Sequence, residues 1–311
     1  MALLDHAELV RALPEFGYTD VWSAETNGID AFTPLTLTSV WEPSLRLGTA
    51  IVPAYTRGPA LIAMSAAALA ATAPGRFVLG LGASSPVIVG NWNGIDFEEP
   101  YRRTQDVLRV VRSALNGERV DGKFGSFTIK RFKLDPAPQI PPKIMLAALR
   151  PQMLRLAGRE ADGAILNWLA CYDVPRCVES VCNETAEIVA RIFVCPTEDA
   201  SYAHQFGRTL ISTYLTVPAY AAFHDWLGRG PALAAMHEKW AAGDRSAAAA
   251  AIPDEIVDDL VLHGSPESVR EQVRAYVAAG VDTPVLALLS TPDMSTPQGL
   301  LDVVRRLGPG D

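Results

Sequence analysis

The stretch FVLGLGASSP, Phe77 to Pro86, decides how this chain is read. It is an apolar run that ends in Gly80-Leu81-Gly82 and then offers two serines. A dinucleotide-binding turn requires Gly-x-Gly-x-x-Gly with a helix opening inside the motif, so that helix amides face the pyrophosphate. Here Ala83, Ser84, Ser85 and Pro86 follow, and the third glycine is absent. The next clear helical pattern begins near Pro100, and no acidic residue ends a following strand in a matching βαβ unit. The dinucleotide reading fails on all three counts. In a barrel strand the two glycines instead remove side chains near the lumen or permit close backbone approach. Ser84 and Ser85 then stand at the carboxyl end of the strand, where barrel ligands bind. On spacing alone, a glycine-relieved packing layer with solvent-exposed serines accounts for the stretch equally well.

Outward from this strand, apolar runs alternate with helical patterns. The runs are Tyr18–Glu25, Leu45–Pro53, Phe77–Ser84, Lys143–Leu149, Gly163–Leu169, Ile188–Pro196 and Pro284–Ser290. They are continuous rather than alternating, as parallel strands covered on both faces require. Between them lie helical segments such as PYRRTQDVLRVVRSALNG, with Val107, Val110, Val111 and Leu115 on one face. SPESVREQVRAYVAAG opens with a Ser265 cap, has Pro266 in the first helical position and stops at Gly280. Repeated βα units favour a (β/α)8 TIM barrel, read here as one domain over 1–311. Seven strands are found where a barrel needs eight. The first strand is therefore expected to be missing or truncated, or the start site misplaced. Two segments interrupt the alternation: a loop at 86–100 rich in Asn, Gly and Pro, and a helical insertion at 199–260. Insertions after barrel strands shape substrate access, although this one also suits an oligomer contact or plain packing.

Composition narrows the function classes. With 311 residues and 49% hydrophobic content the chain can bury a large core, and a net charge of −8 argues against a nucleic-acid surface. No run of about 18 apolar residues reads as a membrane span, and the amino end lacks a signal pattern, so a cytoplasmic protein is expected. Cys171, Cys177, Cys182 and Cys195 contain no Cys-x-x-Cys pair and read as reduced structural thiols. The five histidines form no local ligand motif, and no metal is expected.

Two long segments, LRLGTAIVPAYTRGPALIAMSAAALAATAPGRFVLGLGASSP and PPKIMLAALRPQMLRLAGREADGAILNW, resemble consecutive βα units of the luciferase-like monooxygenase superfamily. SSPVIV followed by NWNG is most similar to its coenzyme F-420 (deazaflavin) oxidoreductases, whose relatives include methylenetetrahydromethanopterin reductase and a sugar-phosphate dehydrogenase. The resemblance implies a non-proline cis peptide at Ala50-Ile51 behind the cofactor ring. It implies roles for Glu25 and Thr26 at the second strand end, where relatives carry an acid followed by a catalytic histidine. That histidine is lost here. Ser84 and Ser85 stand where the sugar-phosphate enzymes place a glutamate, which argues against that substrate class. Leu149 and Arg150 replace a Gly-Gly-Pro turn near the cofactor phosphate, Ala147 and Ala148 keep the approach narrow, and Asn167 faces the cofactor. Arg57 is placed either at the cofactor's acidic tail or in a surface ion pair. The implied activity is hydride transfer between coenzyme F-420 and a small-molecule substrate, in a homodimer. An FMN-dependent monooxygenase of the same fold and a non-catalytic ligand-binding barrel are the alternatives.

Overall fold

The computed structural model describes residues 3–309. Its strands, in chain order, are β1 (Asp20–Ser23), β2 (Arg46–Thr49), β3 (Val52–Pro53), β4 (Phe77–Gly82), β5 (Arg119–Lys123), β6 (Thr128–Lys133), β7 (Lys143–Ala147), β8 (Gly163–Asn167), β9 (Glu187–Val194), β10 (Val261–Leu262) and β11 (Thr283–Leu288). All but β5 and β6 form one parallel sheet in the order β1-β2-β4-β7-β8-β9, with β10 and β11 both paired to β9 and β3 to β4. The helices are α1 (Ala7–Ala12), α2 (Phe32–Trp41), α3 (Pro59–Thr72), α4 (Pro100–Leu115), α5 (Pro151–Glu160), α6 (Val174–Val181), α7 (Ala200–Leu215), α8 (Pro218–Trp226), α9 (Gly230–Ala241), α10 (Arg245–Ala250), α11 (Asp254–Leu260), α12 (Pro266–Ala278) and α13 (Pro297–Leu307). The architecture is a TIM-barrel-type sheet wrapped by helices. The antiparallel β5–β6 hairpin was not foreseen: its residues, rich in Lys, Arg and Asp, carry no continuous apolar run.

The sheet curls without closing. Among the described residues β1 pairs with β2 and β11 with β9, and no ladder joins β1 to β11. Accordingly every residue of both strands is only half-buried, whereas β4 is buried throughout. The amino-terminal rim around this gap is held by charge. Arg46, the first residue of β2, pairs with Glu187 of β9 at 2.6 Å and Asp20 of β1 at 3.4 Å. Thr283 of β11 donates to the same Glu187 carboxylate at 2.9 Å. Above this rim Trp22 occupies the lumen with Val78, Met145, Ile165, Val189 and Val285. Gly48 makes room for it, since a Cβ there would stand 2.2 Å from the indole.

The glycines of β4 fix the next layer. Between Gly48 and Val52 the chain advances four residues while its partner advances three, from Val78 to Leu81. This is a β-bulge, with one residue in excess on one strand. At the bulge the Thr49 hydroxyl takes over the ladder, donating to the Gly80 carbonyl at 3.0 Å and accepting from the Gly80 amide at 2.8 Å. A Cβ on Gly80 would lie 1.9 Å from the Thr49 carbonyl oxygen, and one on Gly82 would press on Ile51 and Ala147 at 2.9–3.0 Å. The Ala50–Ile51 peptide within the bulge is cis, as the resemblance implied.

Five helices, α7 to α11, run from Ala200 to Leu260 between β9 and β10. They enclose a second core of Ile211, Leu215, Leu233, Met236, Val257 and Leu260 against Trp168 and Phe193, whose rings stack at 3.9 Å. Arg229 ties this excursion to the barrel through a buried ion pair with Asp173 at 2.8 Å.

These contacts rank two substitutions. Gly80→Ala forces backbone apart and is expected to cost about 1–3 kcal/mol or more, read as a lower denaturant midpoint. Gly82→Ala meets side-chain atoms of Ile51 and Ala147 at 2.9–3.0 Å rather than a backbone carbonyl at 1.9 Å, and costs less. Equal midpoints for the two variants would contradict the clamp at Thr49.

Candidate active site

At the carboxyl ends of the strands a cleft of about 730 Å³ opens. Its floor is the bulge, Ala50 and Ile51, with Ala147 beside them. Glu25 and Thr26 follow β1, Ser84 and Ser85 follow β4, Leu149 and Arg150 lead into α5, and Asn167 ends β8; all of these line the cleft. Ala148 does not. Successive strand side chains alternate faces, so Ala148 is 1% exposed and packs into the main core while Ala147 and Leu149 face the opening.

The polar groups differ in how far the protein already uses them. Glu25 Oε1 receives the Arg57 guanidinium at 2.6–2.8 Å and the Ala31 amide at 3.3 Å. Arg57 also lies 3.4 Å from Asp30 and 5.1 Å over the Phe32 ring. Of the two placements weighed for Arg57, the structure has the ion pair: its charge is spent beside the cleft. Ser84 adopts φ +68°, uncommon for a residue with a side chain. Ser85 Oγ accepts from the Ile88 amide at 3.3 Å, opening the π-helical turn Val87–Trp92 that organises the loop at 86–100.

Other groups are left over. Asn167 donates its amide to the Tyr220 hydroxyl at 2.8 Å, while its Oδ1 is buried without a partner. Arg150 is the N-cap residue of α5, with Pro151 at the first helical position. The next amides of the helix have no partner within it, which suits an anion. Arg150, Arg155 and Arg191 all line the cleft, and among the described residues none of them forms an ion pair. Arg191 was missed by sequence reasoning. It sits in the run IVARIFV on β9, level with Asn167 on β8, with its guanidinium 4.6 Å over Phe193. A charge inside a buried apolar strand was the available signal. The insertion supplies Tyr214, Tyr220 and Trp226. Burial raises the Tyr220 phenol above the usual tyrosine range.

The profile of the luciferase-like monooxygenase family matches residues 1–283. The chain belongs to that family. It is 30% identical over 315 residues to a Mycobacterium tuberculosis protein named provisionally as a coenzyme F420-dependent oxidoreductase, covering 89% of this chain and 88% of that one. It is 28% identical over 286 residues to the 5,10-methylenetetrahydromethanopterin reductase of Methanolobus tindarius, covering 90% and 74%. The coenzyme F420-dependent tetrahydromethanopterin reductase of Methanopyrus kandleri superposes with a TM-score of 0.79 at 19% identity, over 99% of this chain and 94% of that one. That last likeness carries the fold. No helix of the described residues is long and apolar enough to cross a membrane.

All four cysteines are free, and burial pushes the Cys177 thiol to about 12 and Cys195 to about 11. Neither is a nucleophile at neutral pH.

On α8, whose Tyr220 and Trp226 face the cleft, His224 is wholly buried. Burial, reinforced by Arg229, lowers its pKa from 6.5 to about 3. The unfolded chain therefore binds a proton that the folded chain refuses between these values. Stability is full above pH 6.5 and falls as pH drops towards 3, by at most about 1.4 kcal/mol per pH unit from this group. His224→Leu is expected to flatten that acid arm in denaturation curves at pH 7.5, 5.5 and 4.5. An unchanged slope would remove His224 from the account.

Proposed function

We propose that the protein is a deazaflavin-dependent oxidoreductase that transfers a hydride between coenzyme F-420 and a small organic substrate. The observation that carries this reading is the division of the cleft. One part is a tight apolar floor of Ala50, Ile51 and Ala147. The other is a set of unpaired cations, Arg150 and Arg155 at the amino half of α5 and Arg191 on β9, level with Asn167. A planar ring joined to a polyanionic tail matches both parts, and the names of the relatives support the same choice.

Asn167 Oδ1 is a buried acceptor without a partner, so a ring bearing an N–H donor fits there and satisfies an otherwise costly group. The α5 amides with Arg150 and Arg155 would hold phosphate or carboxylate. Coenzyme F-420 supplies, when bound, a two-electron hydride carrier that reacts poorly with oxygen. Ile51 and Ala50 back the ring face and exclude water. Glu25, held by Arg57 and the Ala31 amide, is assigned to binding and orientation through its remaining oxygen. With the family's histidine replaced by Thr26, Tyr220 is the hydroxyl whose acceptor side is taken by Asn167, leaving its proton free to donate to a substrate oxygen. Tyr214 and Trp226 shape the substrate end. A homodimer fits this reading: Val40, Leu61 and Met64 are exposed on the adjoining helices α2 and α3. Sedimentation at twice the chain mass would support it, and sedimentation at the single-chain mass would refute it.

Fluorescence titration of the purified protein with oxidised coenzyme F-420, and separately with FMN, tests the proposal. Saturable binding of the deazaflavin is expected. Arg150→Ala and Asn167→Ala should each weaken it about tenfold or more, the equivalent of a charged or buried hydrogen bond. Binding of FMN with none of the deazaflavin, together with oxygen uptake by the reduced FMN complex, would replace this reading by the monooxygenase one. Binding of neither would favour a non-catalytic barrel.

A further inference from the structure

A second group of chemistry-bearing side chains lies outside the cleft. His204 of α7, Asp258 of α11 and His263, just past β10, bring one ligating atom each within 4.8 Å of one another. His204 Nε2 is 2.7 Å from Asp258 Oδ1, and His263 Nε2 is 3.5 Å from the same oxygen. The two imidazole planes stand nearly perpendicular at 81°.

The outer nitrogens decide the chemistry. His263 Nδ1 lies 3.1 Å from the Val261 carbonyl, and a carbonyl only accepts, so this nitrogen carries the proton. His204 Nδ1 lies 3.1 Å from Asp254 Oδ1, a carboxylate in turn held by Arg208, and it too is the donor. In the neutral rings both Nε2 atoms are then bare lone pairs directed at one carboxylate oxygen. A proton placed on one ring satisfies a single Nε2–Oδ1 pair and leaves the second lone pair facing the same oxygen. A cation between the three satisfies all of them. The outer partners, a carboxylate and a backbone carbonyl, are those that orient metal-bound histidines.

We propose that His204 Nε2, His263 Nε2 and Asp258 Oδ1 form a binding site for a divalent transition metal, of which Zn²⁺ is the probe. Bonds of about 2.0 Å at tetrahedral angles separate ligand atoms by about 3.3 Å, within the span of the distances observed. Asp258 is half-exposed, so solvent supplies the remaining position and the route of entry. Imidazole and carboxylate donors suit Zn²⁺ and its first-row neighbours rather than Mg²⁺ or Ca²⁺. The site is not part of the cofactor cleft. His204 and Tyr214 are ten residues apart on α7, about 15 Å along the helix. Its role is a clip that joins α7 and α11 of the excursion to the end of β10. No local motif announces the site, and no metal was expected from the histidine spacing, because the ligands come from separate elements.

The test uses the purified wild-type protein, freed of metal by dialysis against chelator and without added cofactor. Isothermal titration with ZnCl₂ at pH 7.5 is expected to show one equivalent bound. Long-range ¹H–¹⁵N spectra should then show two of the five histidines shifting at Nε2. His263→Ala should abolish the binding, and Asp254→Ala, which removes the acceptor that holds His204 Nδ1, should weaken it about 10–100-fold. The absence of stoichiometric binding, or Nε2 shifts confined to other histidines, overturns the proposal on the wild type alone. Undiminished binding by His263→Ala overturns it as well. Failure of coenzyme binding in the separate titration would leave this site untouched.

Discussion

The contact between Thr49 and Gly80 is the constraint on which the cleft depends. A strand with one extra residue must lose its register with its neighbour, and here the Thr49 hydroxyl replaces the missing ladder bonds by giving to and taking from the same residue. Only glycine allows the two backbones this close. The clamp holds Gly48 in register below and Val52 in register above, so the excess residue is expelled towards the opening at Ala50 and Ile51. Gly82 then leaves space for the Ile51 side chain. The floor of the cleft is thereby built on a strand rather than on a loop, where position would be poorly fixed.

The same economy governs the open wall. A curled sheet with two unpaired edges is exposed to slippage and edge-to-edge association. Here the edges are tied at one end by the shared Glu187 carboxylate, which receives Arg46 from β2 and Thr283 from β11. The pair is partly solvated, so its value is modest in energy; its use is to fix the spacing between strands that have no ladder. Trp22 fills the volume above it and is tolerated because Gly48 has no side chain. Charge at the rim, an aromatic plug in the lumen and the bulge at the mouth are three successive layers along the barrel axis.

Much of this was legible in the sequence because it depends on local pattern. Seven continuous apolar runs marked the long strands of the sheet, though not the polar β5–β6 hairpin or the two-residue β10, and Gly80 and Gly82 marked the wall that had to be thin. The residues expected around the cleft nearly all line it, because each stands at a strand end and the parallel topology brings all strand ends to one face. What was not legible depends on which side a residue faces or on distant partners. Ala148 alternates away from Ala147. Arg57 is consumed by Glu25, and no spacing rule announces a pair formed between two different βα loops. Arg191 was hidden in the opposite way, inside a run whose overall character is that of a buried strand.

The helical excursion is fixed to the barrel in one register. Its attachment to the barrel is polar as well as apolar: Arg229 pairs with Asp173 at side-chain exposures of 6% and 4%, and the Tyr172 hydroxyl bridges Arg229 to Asp259. A buried pair of this kind gains little over apolar packing but is costly to break from one side. Small helices sliding over an apolar surface would have many near-equal registers, whereas an arginine fixed to two acids has one. That register is what carries Tyr214, Tyr220 and Trp226 to the cleft and brings Asn167 within reach of Tyr220. Under the proposed function, substrate choice rests with the residues on α7 and α8 that face the opening, while the buried charges behind them hold those helices in place.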